Sequence, residues 1–282
     1  MSTVTSQQAD HSDRPLDSAA STAMPLRVSV VVPARNEALN LPHVLPAIPA
    51  DVHEIILVDG FSTDGTADVA LSLDPRVIVV EQSRRGKGNA LAHGFAAVTG
   101  DVIVMLDADC SADPAEIMRF VDALRNGADI AKGSRYIEGG GSSDLTFVRS
   151  FGNKALTTMV NVLFRTSYSD LCYGYNAFWT HCVPPIDLDS DGFEVETLIN
   201  IRVARAGLKI VEVPSYERDR LHGSSNLKAW KDGLRVLRTI VWERIGRTGD
   251  SVVPTVERRR HARGSALPGA IERRAYHRHT PD

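Results

Sequence analysis

The sequence predicts an α/β protein whose mostly parallel, Rossmann-like central sheet is flanked by helices. Short, uninterrupted apolar runs recur in the first half, beginning with VSVVVP at 28–33, and such runs are typical of strands buried on both faces. Stretches with helical spacing of apolar residues separate them, as crossovers between parallel strands require. The chain is 43% hydrophobic and 24% charged, which indicates an ordinary folded domain.

The first half of the chain supplies most of the predicted sheet. Five strands are expected there, at 28–33, 54–59, 77–81, 102–107 and 130–136. A glycine-rich turn is expected to open a helix within 85–98, and Asp113 with Pro114 to begin the next one as N-cap and first turn. Because ligands bind at the carboxyl ends of parallel strands, we expect a site around Asp59 and Asp107.

The second half is less regular in its pattern. Its predicted elements are helices at 145–165, 192–207 and 227–247, strands at 175–179 and 208–214, and a flexible loop at 139–144. Residues 1–25 are expected to form a disordered polar arm, and 248–282 a disordered arginine-rich tail. We therefore predict one domain at 26–247, with a nucleotide half at 26–110 and an acceptor half at 111–247.

Composition excludes several classes of function. A net charge of −3 argues against a dedicated nucleic-acid binder. Three unevenly spaced cysteines, Cys110, Cys172 and Cys182, form neither a disulfide framework nor a paired zinc site, which favours a reducing, cytoplasmic location. The polar first residues predict no signal peptide. No apolar run reaches the roughly 20 residues of a membrane span, so membrane contact is expected to be peripheral at most.

Two carboxylates follow the fourth predicted strand in VIVMLDAD. In an extended segment residues i and i+2 point the same way, so Asp107 and Asp109 should converge. Two neighbouring anions repel unless a cation lies between them, and Mg²⁺ or Mn²⁺ suits one or two carboxylates plus substrate phosphates. The alternative is that both are loop residues that cap the next helix.

Four ordered motifs now point to one family. VSVVVPARNEALNL, EIILVDGFSTDGT, GKGNAL and VIVMLDAD resemble the nucleotide-sugar half of family 2 glycosyltransferases of the GT-A fold. The resemblance covers roughly residues 26–230. Within that family the second half is similar to polyprenyl-phosphate mannose synthases and their bacterial relatives. The segments that carry this similarity are GSRY at 133–136, the segment from Arg149 to Asn153, SDLCYGYNAF at 169–178 and RDRLHGSSNL at 218–227.

The resemblance implies a nucleotide-sugar donor and a divalent metal, Mg²⁺ or Mn²⁺. The residues that it places on the donor are Pro33, Ala34, Arg35, Glu37, Asp59 and Lys87, with Asp107 and Asp109 on the metal. Glycines at a helix start also let backbone N–H groups approach an anion. Two positions depart from the family pattern, namely Gly60, where a second acid is frequent, and Ser111, where the mannose synthases often have Gln.

The same resemblance implies roles on the acceptor side. Arg135 and Arg149 would receive the acceptor's phosphate, since guanidinium groups pair well with phosphate, although surface ion pairs would leave the same pattern. Arg218, Arg220 and Ser224 would belong to a loop that closes over the donor phosphates. A solvated basic loop is the alternative for that segment.

The acceptor decides whether a catalytic base is needed. A lipid phosphate is already anionic, whereas a hydroxyl acceptor needs a proton acceptor near it. Four acids in the second half could serve, namely Asp170, Asp191, Glu194 and Glu196. The predicted catalytic residues are Asp109 and Arg135, with Asp191 or Glu194 as base for a hydroxyl acceptor.

The predicted reaction is an inverting, metal-dependent hexosyl transfer from GDP-mannose or a UDP-hexose to a polyprenyl phosphate. A transferase acting on a hydroxyl of a glycan or small molecule is the first alternative. A nucleotidyltransferase or a non-catalytic nucleotide-sugar-binding module is the second. The first strand is followed by PARNEAL rather than a GxGxR-type loop, and the intact Asp-Ala-Asp is unexpected in a non-catalytic module.

The helix predicted at 227–247 is basic and amphipathic. Its apolar stripe comprises Leu227, Trp230, Leu234, Leu237, Val241 and Ile245. Such a helix can lie on an anionic membrane surface. The same pattern is also typical of a helix that packs its stripe on the protein core. The sequence predicts nothing about the oligomeric state.

Overall fold

A computed structural model describes residues 26–223 and 229–246. Its strands are β1 (Val28–Ala34), β2 (Glu54–Asp59), β3 (Val77–Glu81), β4 (Val102–Met105), β5 (Ile130–Ser134), β6 (Gly141–Ser142), β7 (Asn176–Trp179), β8 (Ile210–Pro214) and β9 (Tyr216–Glu217). Its α-helices are α1 (Leu41–Val44), α2 (Thr66–Leu73), α3 (Lys87–Ala97), α4 (Ile117–Arg125), α5 (Phe147–Phe164), α6 (Val183–Ile186), α7 (Val195–Arg205) and α8 (Ala229–Ile245). The predicted N-terminal arm, the predicted C-terminal tail and Ser224 lie outside the described residues.

The central sheet has seven strands in the order β3-β2-β1-β4-β7-β5-β8. Strands β1 to β4 pair in parallel, as do β5 and β8. Strand β7 runs antiparallel between β4 and β5. The mostly parallel α/β sheet predicted from the sequence is therefore confirmed, and one reversed strand joins its two parallel parts.

Two local predictions are wrong. Strand β4 ends at Met105, so the Asp107–Asp109 segment is a turn rather than an extended strand end, and Cys110 has φ +67°. The loop predicted at 139–144 contains β6, which pairs in parallel with β9 as a separate two-stranded ribbon. Glycine and serine gave that segment a loop-like composition, while its pairing with a distant segment made it a strand.

Apolar layers cover both faces of the sheet. On one face α4 packs through Phe120, whose ring stacks on Tyr175 at 4.3 Å between centroids. On the other face α3 and α7 pack through residues such as Phe95 and Ile199. A third cluster joins α5, α7 and α8 and also contacts Ile210 of β8. Nowhere in 26–223 or 229–246 is a helix both long and apolar enough to cross a bilayer.

Helix α3 lies unusually close to the sheet at Gly94. A Cβ atom at this glycine would come within 2.4 Å of Val31 Cγ1 and 3.1 Å of Val58 Cγ2. The close approach brings the first turn of α3 to the edge where β1, β2 and β4 end. That edge carries the cavity described below.

Replacing Gly94 with alanine should destabilise the fold by about 1–3 kcal/mol, because the methyl group overpacks the α3–sheet contact. Urea denaturation would measure the change in the free energy of unfolding. Gly152 in α5 is the matched control, since no atom lies within 4 Å of the position of its Cβ. There, alanine should stabilise by about 0.5–1 kcal/mol. Equal effects at the two glycines would contradict the close-packing explanation.

Candidate active site

A cavity of about 510 Å³ lies at the carboxyl ends of the parallel strands. Segments after β1, β2, β4 and β5 line it, together with the starts of α3 and α7 and the segment that follows β9. Its volume is in the range of small-molecule sites. Its position is the one that the sheet topology predicts for a ligand.

The cavity floor on the α3 side is built around Lys87. Its Nζ lies 2.7 Å from Asp107 Oδ1 and 2.7 Å from Glu196 Oε1, and it donates to Asp107 Oδ2 at 2.9 Å. Burial alone would lower the pKa of this lysine, but the two carboxylates outweigh burial and raise the pKa well above its usual value. Lys87 therefore stays charged and fixes both carboxylates.

Glycines allow this floor to close. A Cβ at Gly86 would lie 1.9 Å from the carbonyl oxygen of Asp191, and one at Gly88 2.1 Å from that of Ser190. The N–H of Gly88 donates to Asp191 O at 3.0 Å. The Gly-Lys-Gly turn is thus shaped by its contact with the 190–191 backbone, which the sequence did not indicate.

The other side of the floor is built around Arg220. Its Nη2 donates to Asp109 Oδ2 at 2.8 Å and its Nη1 donates to Glu37 Oε1 at 2.9 Å. Burial raises the pKa of Glu37, and Arg220 partly offsets that effect. Arg220 belongs to residues 216–223, a segment that we call the strap and that crosses the cavity from β9.

The strap is held at three further points. The N–H of Arg218 donates to Ser111 O at 2.8 Å, and its guanidinium donates to Asp113 Oδ2 at 2.9 Å. Asn40 and His222 exchange two hydrogen bonds. The strap therefore lies closed on the Asp-Ala-Asp turn.

The donor atoms at the turn fit a metal only in part. Asp107 and Asp109 both line the cavity, and carboxylate oxygens suit Mg²⁺ or Mn²⁺. Within the described ranges, no three His, Cys, Asp or Glu side chains converge closely enough to hold a metal by themselves. The protein would thus supply two carboxylates and leave the remaining positions to a ligand.

Two arginines that the sequence suggested for acceptor binding are ion-paired. Arg135 donates from Nε and Nη2 to Asp170 at 2.7 and 2.9 Å, and from Nη1 to Glu217 at 2.8 Å. These carboxylates outweigh burial and raise its pKa. Arg149 donates to Asp144 Oδ2 at 2.6 Å. Both arginines thus form the ion pairs that the sequence left open as an alternative, and both also line the cavity.

Most residues selected from the sequence meet at this cavity. Those that line it are Pro33, Ala34, Arg35, Glu37, Lys87, Asp107, Asp109, Arg135, Arg149 and Arg220. Asp59 lies at the end of β2 beside it, where Oδ2 accepts a hydrogen bond from Ser62 N and the buried Oδ1 has no partner among the described residues. Arg218 is on the strap, at Asp113.

The two predicted bases lie elsewhere. Asp191 pairs with Arg84 at 2.9 Å, and its side chain is 50% exposed. Glu194 accepts a hydrogen bond from Gly192 N. Neither residue lines the cavity, whereas Glu196, two positions further along, does. These three acids lie close together in the sequence, so the sequence alone could not show which of them reaches the cavity. In the structure, Glu196 lies on the turn of α7 that faces Lys87.

The family comparison agrees with this geometry. Residues 29–180 match the model of the family described as Glycosyl transferase family 2. The chain belongs to this family. It is therefore a glycosyltransferase, and the matched residues include the sheet edge, Lys87 and the Asp-Ala-Asp turn.

Several curated proteins share this family 2 sequence over most of the chain. An undecaprenyl-phosphate mannosyltransferase of Micrococcus luteus is 32% identical over 77% of this chain and 94% of that protein. A polyprenol monophosphomannose synthase of Mycolicibacterium smegmatis is 34% identical over 71% of this chain and 81% of that protein. A dolichol-phosphate mannosyltransferase of Pyrococcus furiosus is 31% identical over 72% of this chain, which spans only 60% of that protein.

Solved structures confirm the fold of this family 2 member. Glucosyl-3-phosphoglycerate synthase of Mycobacterium tuberculosis, crystallised with Mn²⁺, UDP-glucose and phosphoglyceric acid, superposes with a TM-score of 0.59 at 26% identity. The alignment covers 77% of this chain and 79% of that one. The GT-A architecture expected from the sequence is thereby confirmed.

Replacing Glu196 with alanine should lower kcat/KM on the order of 100-fold, because Lys87 loses one of its two anchors and Asp107 shifts with it. Steady-state turnover with a nucleotide sugar would measure this. Glu194→Ala is the control and should keep most of its activity, since that side chain does not line the cavity. The opposite ranking of the two variants would contradict the role given to Glu196.

Proposed function

We propose that this glycosyltransferase moves a hexose from a nucleotide sugar to a polyprenyl phosphate with the help of a divalent cation. The observation that carries the proposal is that a single cavity joins the Asp-Ala-Asp turn to the paired arginines Arg135 and Arg149. The first end suits a metal and a diphosphate, and the second suits a phosphate monoester. The names of the mannosyltransferase relatives support the same acceptor class.

The charge of the cavity supports a metal requirement. Seven carboxylates and five basic side chains line it, so its formal charge is negative. A nucleotide-sugar diphosphate is also negative and would be repelled without a compensating cation. Asp107 and Asp109 are the residues that would hold the metal. When bound, it would neutralise the departing nucleotide diphosphate.

The chain's own cations would assist the same step. Arg220 lies 2.8 Å from Asp109, so its guanidinium would be placed to pair with a donor diphosphate held near that carboxylate. Lys87, which stays charged, lies on the α3 side of the cavity floor. Fixed positive groups of this kind stabilise negative charge as it develops on the leaving group.

A lipid phosphate acceptor also fits the positions of the acids that the sequence suggested as bases. A phosphate oxygen attacks as an anion and needs no proton acceptor. Asp191 and Glu194 lie outside the cavity lining, and Glu196 is held by Lys87. Each acid predicted as a base is thus either outside the cavity lining or held by a basic side chain, which supports the phosphate over the hydroxyl-directed alternative.

The donor is proposed to be GDP-mannose or a UDP-hexose. Relatives named as mannosyltransferases favour mannose. Asp59, at the end of β2 beside the cavity, is the carboxylate proposed to accept an N–H from the base, and both guanine and uracil carry a ring N–H. This contact therefore supports either base and excludes neither.

Helix α8 is proposed to contact the membrane in which such an acceptor resides. Four described residues of its predicted apolar stripe are exposed, namely Trp230 (80%), Leu234, Val241 and Ile245 (69%). The buried face consists instead of Asp232, Val236, Ile240 and Glu243. Neighbouring α5 also exposes Phe147, Val148 and Phe151. Apolar and basic residues on one surface fit an anionic bilayer.

Asp109→Asn should reduce transfer below ~1% of wild type, because the metal loses a charged ligand. The assay would combine a panel of nucleotide sugars, Mn²⁺ or Mg²⁺, and a short polyprenyl phosphate, with lipid-linked product as the readout. Removal of the metal with a chelator should have the same effect. Asp122→Asn, on the exposed face of α4, should leave transfer unchanged. Full activity of Asp109→Asn or of chelated enzyme would exclude the metal-dependent reaction.

Replacing Trp230 and Trp242 together with serine should weaken binding to anionic vesicles by roughly tenfold or more, because two exposed indoles no longer enter the interface. Co-sedimentation of the full chain with phosphatidylglycerol vesicles would measure this, with phosphatidylcholine vesicles as the charge control. Leu71→Ser on α2 provides the matched loss of an exposed apolar residue. No difference between the variants would exclude α8 as the contact.

A further inference from the structure

The ribbon formed by β6 and β9 covers the acceptor end of the cavity. Strand β9 contributes Glu217, and β6 contributes Ser142, whose hydroxyl donates to Glu217 Oε2 at 2.7 Å. The same Ser142 oxygen accepts the N–H of Asp144 at 3.2 Å. Glu217 and Asp144 are the carboxylates that pair with Arg135 and Arg149. The ribbon therefore supplies the carboxylate of Arg135, and Ser142 links it to the segment that supplies the carboxylate of Arg149.

All three guanidinium nitrogens of Arg135 already donate to carboxylates. Two of them donate to Asp170, and Nη1 donates to Glu217 Oε2 at 2.8 Å. The Arg135 side chain is only 4% exposed. Nη1 and Nη2 each keep a second N–H, but the guanidinium is so enclosed that an incoming phosphate would meet it beside a carboxylate already bound to it, and that negative charge opposes full pairing.

The two carboxylates are held very differently. Asp170 is fully buried and accepts four hydrogen bonds, two from the Arg135 guanidinium and one each from the backbone N–H of Arg135 and Asn153 Nδ2. Removing such a buried partner leaves an uncompensated charge. Glu217 lies on a two-residue strand at the cavity lining and is 12% exposed. Glu217 is thus the carboxylate that can yield.

We propose that Glu217 occupies the phosphate position of Arg135 and competes with the acceptor for it. This inference rests on the proposed phosphate acceptor. An arriving phosphate displaces the carboxylate from Nη1 and takes over its hydrogen bond, while Asp170 keeps the guanidinium oriented. Glu217 is therefore a positioning residue that acts through Arg135 and lowers the enzyme's affinity for phosphate.

The displacement also reaches the donor end of the cavity. Glu217 directly precedes Arg218 and lies three positions before Arg220, which pairs with Asp109 and Glu37. The backbone of Glu217 stays paired with β6 when its side chain moves, so Glu217 and Arg220 remain on one segment whose far end lies on the Asp-Ala-Asp turn. Occupation of the acceptor end is thereby linked to the segment that would contact the donor diphosphate.

The Glu217→Gln variant tests the competition, because the proposal predicts a gain in phosphate affinity rather than a loss. The amide keeps the size of the side chain and can still bond Ser142, but it pairs more weakly with a guanidinium. The variant should bind a short isoprenyl phosphate about tenfold more tightly than wild type, measured by calorimetry on the full chain without nucleotide. Glu138→Gln, which removes an exposed charge between β5 and β6, should leave the dissociation constant unchanged.

A second variant and a second probe distinguish failure of the competition from failure of the proposed lipid acceptor. Ser142→Ala removes a partner of Glu217 and should tighten binding in the same direction but less, so it carries the test if Glu217→Gln does not fold. Inorganic phosphate serves as the second probe. Equal or weaker binding by a folded Glu217→Gln would overturn the competition. A third outcome is that isoprenyl phosphate binds to no variant, while inorganic phosphate still binds more tightly to Glu217→Gln than to wild type. That result would support the competition and exclude the lipid acceptor. Binding of neither probe would overturn both.

Discussion

The ammonium of Lys87, shared between Asp107 and Glu196, is the contact on which the site depends. It joins three separate parts of the chain, since Lys87 begins α3, Asp107 follows β4 and Glu196 lies in the first turn of α7. The space around it is closed by Gly174, where a Cβ would lie 2.8 Å from Glu196 Oε1. A buried charge with two partners on different elements is stable only when all three are in place. The floor of the cavity therefore forms as a unit.

The two ends of the cavity, at the Asp-Ala-Asp turn and at the ribbon, differ in how their charges are balanced. At the turn, carboxylates outnumber their partners and leave capacity for a divalent cation. Beside the ribbon, Arg135 and Arg149 are each matched with a carboxylate. The protein's own charges are thus paired with one another at both ends of the cavity.

The sequence predicted the parts of this structure that depend on local pattern. Strands buried on both faces leave continuous apolar runs, so β1 to β5 were recognisable, and the Asp-Ala-Asp turn was found from its place after a strand. Features that depend on distant pairing were not predictable. The antiparallel β7, the β6–β9 ribbon and Glu217 arise from contacts between remote segments. The outward stripe of α8 reverses the usual pattern, because Glu243 turns inward to meet Arg202 of α7.

That inward pair has a consequence for orientation. Arg202 and Glu243 are 5% and 4% exposed and lie 2.8 Å apart, and a buried pair of this kind adds little net stability compared with well-packed apolar residues. Its effect is on register, because only one rotation of α8 brings the carboxylate to the guanidinium. An apolar pair would hold the helix as tightly yet permit it to roll. The ion pair therefore fixes which side of α8 faces outward, and with it the positions of the exposed Trp230 and Trp242 side chains.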